Sequence, residues 1–262
     1  MPRPGWIEAS NNGSLLPVPY RRTPAVDDRL AAARERLVSA ATDVVASSGW
    51  TGASVTAVAA AAGISVGSVY QHFPSKAALV VEVFRRAAGR EVEVLTDVLA
   101  PPAPGQAAVE SPVDRLARGV ATFARRALAR RGLAYALLVA PSEPAVEQER
   151  LEFRRRYRDA FVAVLTEGVE AGLLPPQDVR VTAAALTGAI GEVLVGPVSM
   201  SADAPGGDDA DDIVREVTAM ALRCVGAAPR PAEAPVRAAG TAAPAAPAVP
   251  SPSAPADGAA GS

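Results

Sequence analysis

Apolar positions along this chain recur at intervals of three and four, without sustained alternation. From about Asp27 to Ser48, Leu30, Leu37, Ala41, Val44 and Val45 share one helical face, and Gly49 supplies a stop. Short helices are predicted near 54–61 and 65–71. Ser75 suits the cap of a long helix to about Leu99, closed by Pro101 and Pro102. Ser111-Pro112 opens another, with Leu116, Val120, Phe123 and Ala127 inward and Gly132 at its end. A short apolar helix over 133–140 stops at Pro141. Residues 144–171 carry Val146, Phe153, Tyr157, Phe161 and Val164 at helical spacing, with Gly172 as stop. Asp178 can cap a helix to about Gly196 and Asp209 one to about Val225, with the acidic, Gly-rich stretch 201–210 as a loop. No run has the bounded period of two that marks a strand, so the expected fold is all-α.

Both ends differ from this pattern. Residues 1–24 read as a flexible arm in which Pro2, Pro4, Pro17, Pro19 and Pro24 block helix. Residues 228–262 are almost wholly Ala, Pro, Gly and Ser, a composition with little to bury, and read as a disordered tail. Between them the helical pattern divides into two segments, 25–75 and 76–227.

The first of these rests on Ser54–Leu79. Ser54 can cap a short helix whose Val58 and Ala62 face a core, and Ala59 is small where two helices must approach. Gly63 fits a left-handed turn, Ile64 anchors it, and Val69 is the buried residue of the helix that follows. A supporting helix, a tight Gly turn and a second helix make the helix-turn-helix layout, although such a turn also occurs in proteins that never touch DNA. The outer side of the second helix carries the hydrogen-bonding residues Ser65, Ser68, Tyr70, Gln71 and His72, with small Val66 and Gly67 letting it approach a major groove. Its free N–H groups can meet phosphate, and Gln71 can make two hydrogen bonds to an adenine edge.

Charge sharpens this picture locally. The net formal charge of −2 is uninformative, but Val44 through Ser75 contains no Asp, Glu, Lys or Arg. Cations flank it: Arg21, Arg22, Arg29, Arg34 and Arg36 before, Lys76 after. Polar side chains that read bases and flanking cations that hold phosphates would divide the work. Other chemistries have little to build on. A single cysteine, Cys224, allows no intrachain disulfide and no multi-cysteine metal site, and is expected to be buried. With His72 the lone histidine, neither a His-based metal site nor a catalytic dyad is expected, and no cofactor. Residues 1–24 lack the apolar stretch of a secretory signal, and Arg180 and Glu192 interrupt the apolar region 179–200, so a cytoplasmic protein is expected.

The run Gly63-Ile64-Ser65-Val66-Gly67-Ser68-Val69-Tyr70-Gln71-His72-Phe73-Pro74-Ser75-Lys76-Ala77-Ala78-Leu79 resembles the signature of the tetracycline-repressor-like (TetR) family, and the likeness extends over about residues 30–84. The resemblance implies an all-α homodimer with an N-terminal three-helix DNA-binding domain and a double-stranded DNA operator as partner. By position, Tyr70, His72 and Lys76 fall on phosphate contacts, and Ser65, Val66, Gly67, Ser68 and Gln71 on the recognition face. Thr56 falls on the supporting helix. That helix departs from the pattern in having Ala57 and Ala61 where charged residues are common, which shifts weight to the Arg21-Arg22 arm.

The second half carries no comparable motif. Glu149-Arg150-Leu151 and Gly172-Leu173-Leu174-Pro175-Pro176-Gln177-Asp178 are similar to C-terminal domains found on some TetR-like regulators. That likeness implies no particular ligand; the TetR-family resemblance implies a mostly apolar small-molecule pocket between the helices, with Phe123, Tyr135, Phe153 and Tyr157 as candidates to line it, and for each, plain core packing is the alternative. Trp50 is expected to pack the junction of the first two helices, and Arg154-Arg155-Arg156 to form a solvated turn. Ala184, Ala185, Gly188 and Gly191 make a small-residue face, and Ile213, Val217, Met220 and Cys224 an apolar stripe. Two such helices per subunit can form a four-helix dimer interface. The expected function is a dimeric repressor, not an enzyme, released from DNA by a largely apolar ligand. A regulator without ligand control and a helical small-molecule-binding protein are the alternatives.

Overall fold

The computed structural model describes residues 24–102, 110–140, 144–199 and 207–227. All regular structure in them is helical: α1 (Pro24–Gly52), α2 (Val55–Ala62), α3 (Val66–His72), α4 (Lys76–Leu99), α5 (Pro112–Ala129), α6 (Arg131–Leu138), α7 (Pro144–Glu170), α8 (Val179–Val198) and α9 (Gly207–Cys224). Side-chain caps start most of them. Ser54, Ser65, Ser75 and Ser111 each accept a backbone N–H three residues on, and Asp178 accepts those of Arg180 and Val181. Ser111 and Asp114 complete a reciprocal capping box.

The expected boundaries shift in several places; α1, for one, continues past a non-helical Gly49 to Gly52, and α6 covers 131–138 rather than 133–140. Pro24 opens α1 rather than ending the arm, because the first turn of a helix tolerates a missing N–H. Gly132 does not end α5; it is the second residue of α6, and the chain turns instead at Arg130. Residues 207–210 are helical, so Asp209 lies inside α9 rather than capping it, and α8 runs through Pro197 to Val198. The remainder of the expected 201–210 loop, the 1–23 arm and the 228–262 tail lie outside the described residues.

Two apolar clusters hold the helices. The first joins α1–α4 with Leu133, Ala136, Val146 and Phe153, so α6 and the start of α7 share a core with the first four helices. Within it Phe84 stands between Trp50 and Phe153, with ring centroids at 6.2 and 5.7 Å. The second gathers the end of α4, α5, the far half of α7, α8 and α9. Tyr135 and Tyr157 are half-buried against both. One charged residue is buried among the described residues: Arg115, paired with Glu167 across α5 and α7.

Three inward assignments fail. Leu30 is 38% exposed, because α1 outruns the neighbours that could cover its first turns. Ile64, also 38% exposed, does not anchor the turn; Val58, Ala59 and Val69 do. Cys224 is exposed, its Sγ 3.5 Å from Met220 Sδ, because the buried stripe is Val214, Val217 and Ala221 of α9 with Val225 just past its end, rotated from the expected one.

Candidate nucleic-acid interface and ligand cavity

Gly63 fixes how α3 leaves α2. Its φ of 67° lies in the left-handed region, where a Cβ is penalised, and the turn is closed by N–H bonds from Gly63 to Ala60 and from Ile64 to Ala59. Of α3, only Val69 is buried. Ser65, Val66, Gly67, Tyr70 and Gln71 are exposed, and Ser68 and His72 half-buried. Ser65 Oγ accepts the Ser68 N–H and lies 2.9 Å from Ser68 Oγ, so these two hydroxyls are pre-ordered. Thr56 is exposed on α2, and Lys76 is the half-buried first residue of α4. Arg21 and Arg22 lie outside the described residues.

The flanking cations are not equivalent. Arg34 donates to Glu82 at 2.8 Å and its guanidinium lies 4.7 Å from the Phe73 ring centre, so it braces α1 on α4. Arg36 instead joins the recognition surface: with Ile64, Ser68, Gln71 and His72 it lines a depression of about 220 Å³. Sequence reading placed Arg36 only near the motif. Its register on α1 is the signal: Ala33, Arg36 and Leu37, spaced i, i+3 and i+4, share the face that lines this depression.

A larger cavity, about 560 Å³, lies among α4, α5, α6, α7 and α8. Its walls include buried Phe84, Ala88, Leu95, Ala127, Leu133, Phe153, Phe161 and Ile190. Exposed lining residues form the rim: Arg130, Glu147, Leu151, Arg154, Gly188 and Glu192. Of the aromatic candidates, Phe123, Phe153 and Tyr157 line the cavity and Tyr135 does not; it packs between the two cores. Within the Arg154-Arg155-Arg156 turn, Arg154 faces the cavity rim, Arg155 pairs with Glu152, and Arg156 lies over the Phe153 ring.

The cavity's α6 wall is tied to the first helices. Trp50 does more than pack the junction after α1: its indole Nε1 donates to the Ala136 carbonyl at 2.8 Å. From α7, Arg150 donates to the carbonyls of Ala136, Leu137 and Ala140, satisfying the end of α6. Neither tie was legible beforehand. A helical period reports which face of an element is apolar, not which distant carbonyl an indole will meet.

A family profile described as bacterial regulatory proteins, tetR family, matches residues 37–83. A second, described as tetracyclin repressor-like, C-terminal domain, matches residues 109–195. The chain belongs to the TetR family. It is therefore a DNA-binding, helix-turn-helix regulator of transcription. No curated protein matches it. Solved structures share the fold. The transcriptional regulator FadR from Bacillus subtilis in complex with stearoyl-CoA is 20% identical, with a TM-score of 0.60 over 73% of this chain and 98% of that one. FadR from Bacillus halodurans, a fatty acid degradation regulator, is 22% identical, with a TM-score of 0.59 over 72% and 97%. A tetR-family regulatory protein from Rhodococcus RHA1 is 23% identical, with a TM-score of 0.58 over 75% and 98%.

Among the described residues of this TetR-family chain, one helix, α8, is long and apolar enough to cross a membrane. Its Ala183, Leu186, Ile190, Leu194 and Val198 are buried in the second core.

Proposed function

We propose that this protein is a cytoplasmic, dimeric repressor released from its operator by a lipophilic small molecule held in the 560 Å³ cavity. The observation that carries the reading is the shared α6. Its Leu133, Leu137 and Leu138 line the cavity, while its Ala136 carbonyl holds Trp50 at the end of α1. An occupant that shifts α6 therefore pulls on the helix supporting α2 and α3. In a dimer such a shift changes the spacing of the two recognition helices, which DNA holds at one value, so ligand and operator compete.

The assigned domains follow: 25–75 reads DNA, and 76–227 binds ligand and dimerises. On DNA, Ser65, Val66, Gly67, Ser68 and Gln71 face bases. Tyr70, His72 and Lys76 hold phosphates, Thr56 supports them from α2, and Arg21 and Arg22 add contacts from the arm. The dimer forms through the outer faces of α8 and α9. Val181 is 64% and Val193 46% exposed there, beside exposed Ala184 and Ala185, and Ile213, Met220 and Cys224 flank the buried stripe of α9. Phe123, Phe153 and Tyr157 contact the ligand.

Cavity size and lining fit a small-molecule site, usually about 300–1,000 Å³ and mostly apolar. At its rim, the side chains of Arg130 and Arg154 have no ion-pair partner among the described residues, which suits a ligand with an anionic end. The stearoyl-CoA bound to a structural neighbour supports an acyl compound as the first candidate. The test is operator affinity, on DNA upstream of the protein's own gene, with and without saturating stearoyl-CoA or hits from a lipophile screen. Affinity should fall, with a coupling of about 1–3 kcal/mol, and operator should weaken ligand by the same factor. Compounds that bind the cavity and leave operator affinity unchanged would replace this reading with constitutive DNA binding.

A further inference from the structure

The cavity's wall is not uniformly apolar. Below the exposed rim, Arg126 of α5 grips Glu91 of α4 through two parallel hydrogen bonds, Nε to Oε2 at 2.6 Å and Nη2 to Oε1 at 2.7 Å. That fork leaves Nη1 of Arg126 unused, and a carboxylate oxygen retains a lone pair after accepting one bond. Tyr157 of α7 lines the same wall, its ring edge-on to Phe123 at 5.5 Å and 77°. Glu91 and Arg126 are close enough for their charges to act on the Tyr157 phenol, and burial holds it protonated far above its ordinary range. It is thus a permanent donor, yet its hydroxyl makes no hydrogen bond among the described residues. Three α-helices therefore bring a phenol and a charged fork to one spot of an otherwise hydrocarbon wall. A plain alkyl chain seated against it would strip these groups of water and return nothing.

We propose that the cavity selects a lipophile bearing an oxygen function, hydroxyl or keto, part-way along its apolar body, and that this oxygen accepts from the Tyr157 hydroxyl and Arg126 Nη1. The proposal rests on the cavity being the effector site and narrows what fills it. Within that class, an unsubstituted acyl chain is the weaker ligand.

Titration calorimetry on the full chain would use stearate and stearates carrying one hydroxyl or one keto group at successive positions. At least one oxygenated stearate should bind about three- to tenfold more tightly than stearate, the range one net hydrogen bond supplies. Tyr157→Phe keeps the ring against Phe123 and should bring the ratio of oxygenated-stearate to stearate affinity down to about one. Arg126→Lys, which loses the fork, should reduce it too, so the test survives if either variant folds poorly in a melting check. Equal affinity for all the stearates, or a preference that survives in both variants, overturns the proposal. The cavity reading fails separately: Gly188 has open space where a side chain would project, so Gly188→Trp should obstruct the mouth. Binding of every probe undiminished in that variant would place the ligand elsewhere.

Discussion

At the scale of single residues, the roles proposed for Lys76 and Gln71 separate holding from reading. Lys76→Ala should weaken binding to every DNA sequence and lower the slope of affinity against salt by about 1. Gln71→Ala should relax preference at one base pair and keep the slope. Affinities titrated with salt on operator and random DNA decide between the two roles, and an unchanged slope for Lys76→Ala would remove it from the phosphate contacts. Glu82 gives a second prediction. The Arg34 hydrogen bond, opposed by burial and aided by Arg86, holds its carboxyl below the usual carboxylate range. A depressed carboxyl stabilises the fold above its unfolded value, and that stability is lost as pH falls through the folded one. Melting temperature should therefore drop on acidification below the ordinary carboxylate range, and Glu82→Gln should flatten the drop. Single positions were legible where local geometry decides them, as at Gly63 and Val69. They were misread where only the neighbours decide, as at Leu30, Ile64 and Cys224.

At the scale of elements, α6 is the short helix on which most depends. Trp50→Phe keeps an aromatic ring beside Phe84 but removes the hydrogen bond to Ala136. It should lower stability by about 1 kcal/mol and weaken the coupling between ligand and operator more than it weakens either alone. A thermal melt and a pair of binding titrations check both; coupling at the wild-type value would mean that α6 does not transmit through Trp50. The α5–α7 contact makes a different demand. Arg115 is 4% exposed and its Nε has no partner, so its charge relies on Glu167. Glu167→Ala strands that charge and should cost about 3 kcal/mol, read by denaturant unfolding. The caps made these elements readable in sequence: Ser54, Ser75, Ser111 and Asp178 each announce a helix start, whereas Ser65, read as a face residue of the second helix, is its cap. What stayed hidden were pairings across long separations, such as Trp50 with Ala136 and Glu91 with Arg126, because periodicity within one helix carries no information about another.

At the scale of the whole molecule, α8 presents two faces. Its Gly188 and Gly191 line the cavity, whereas Ala184 and Ala185 face outward without touching it. Ala185→Glu is then the selective test of assembly: it should yield monomers by light scattering and lose operator binding, with ligand affinity kept. A dimer that persists would move the interface off this face. The recognition helix has a consequence of another kind. With only Val69 of α3 committed to the core, the side chains at 66–67 and 70–71 can change without repacking anything beneath them, and surface substitutions of that sort shift stability by only about 0.5 kcal/mol. Mutation can therefore explore new operators at almost no risk to folding. After a gene duplication the daughter protein is free to drift to a different promoter while the helices beneath the reading surface stay as they were.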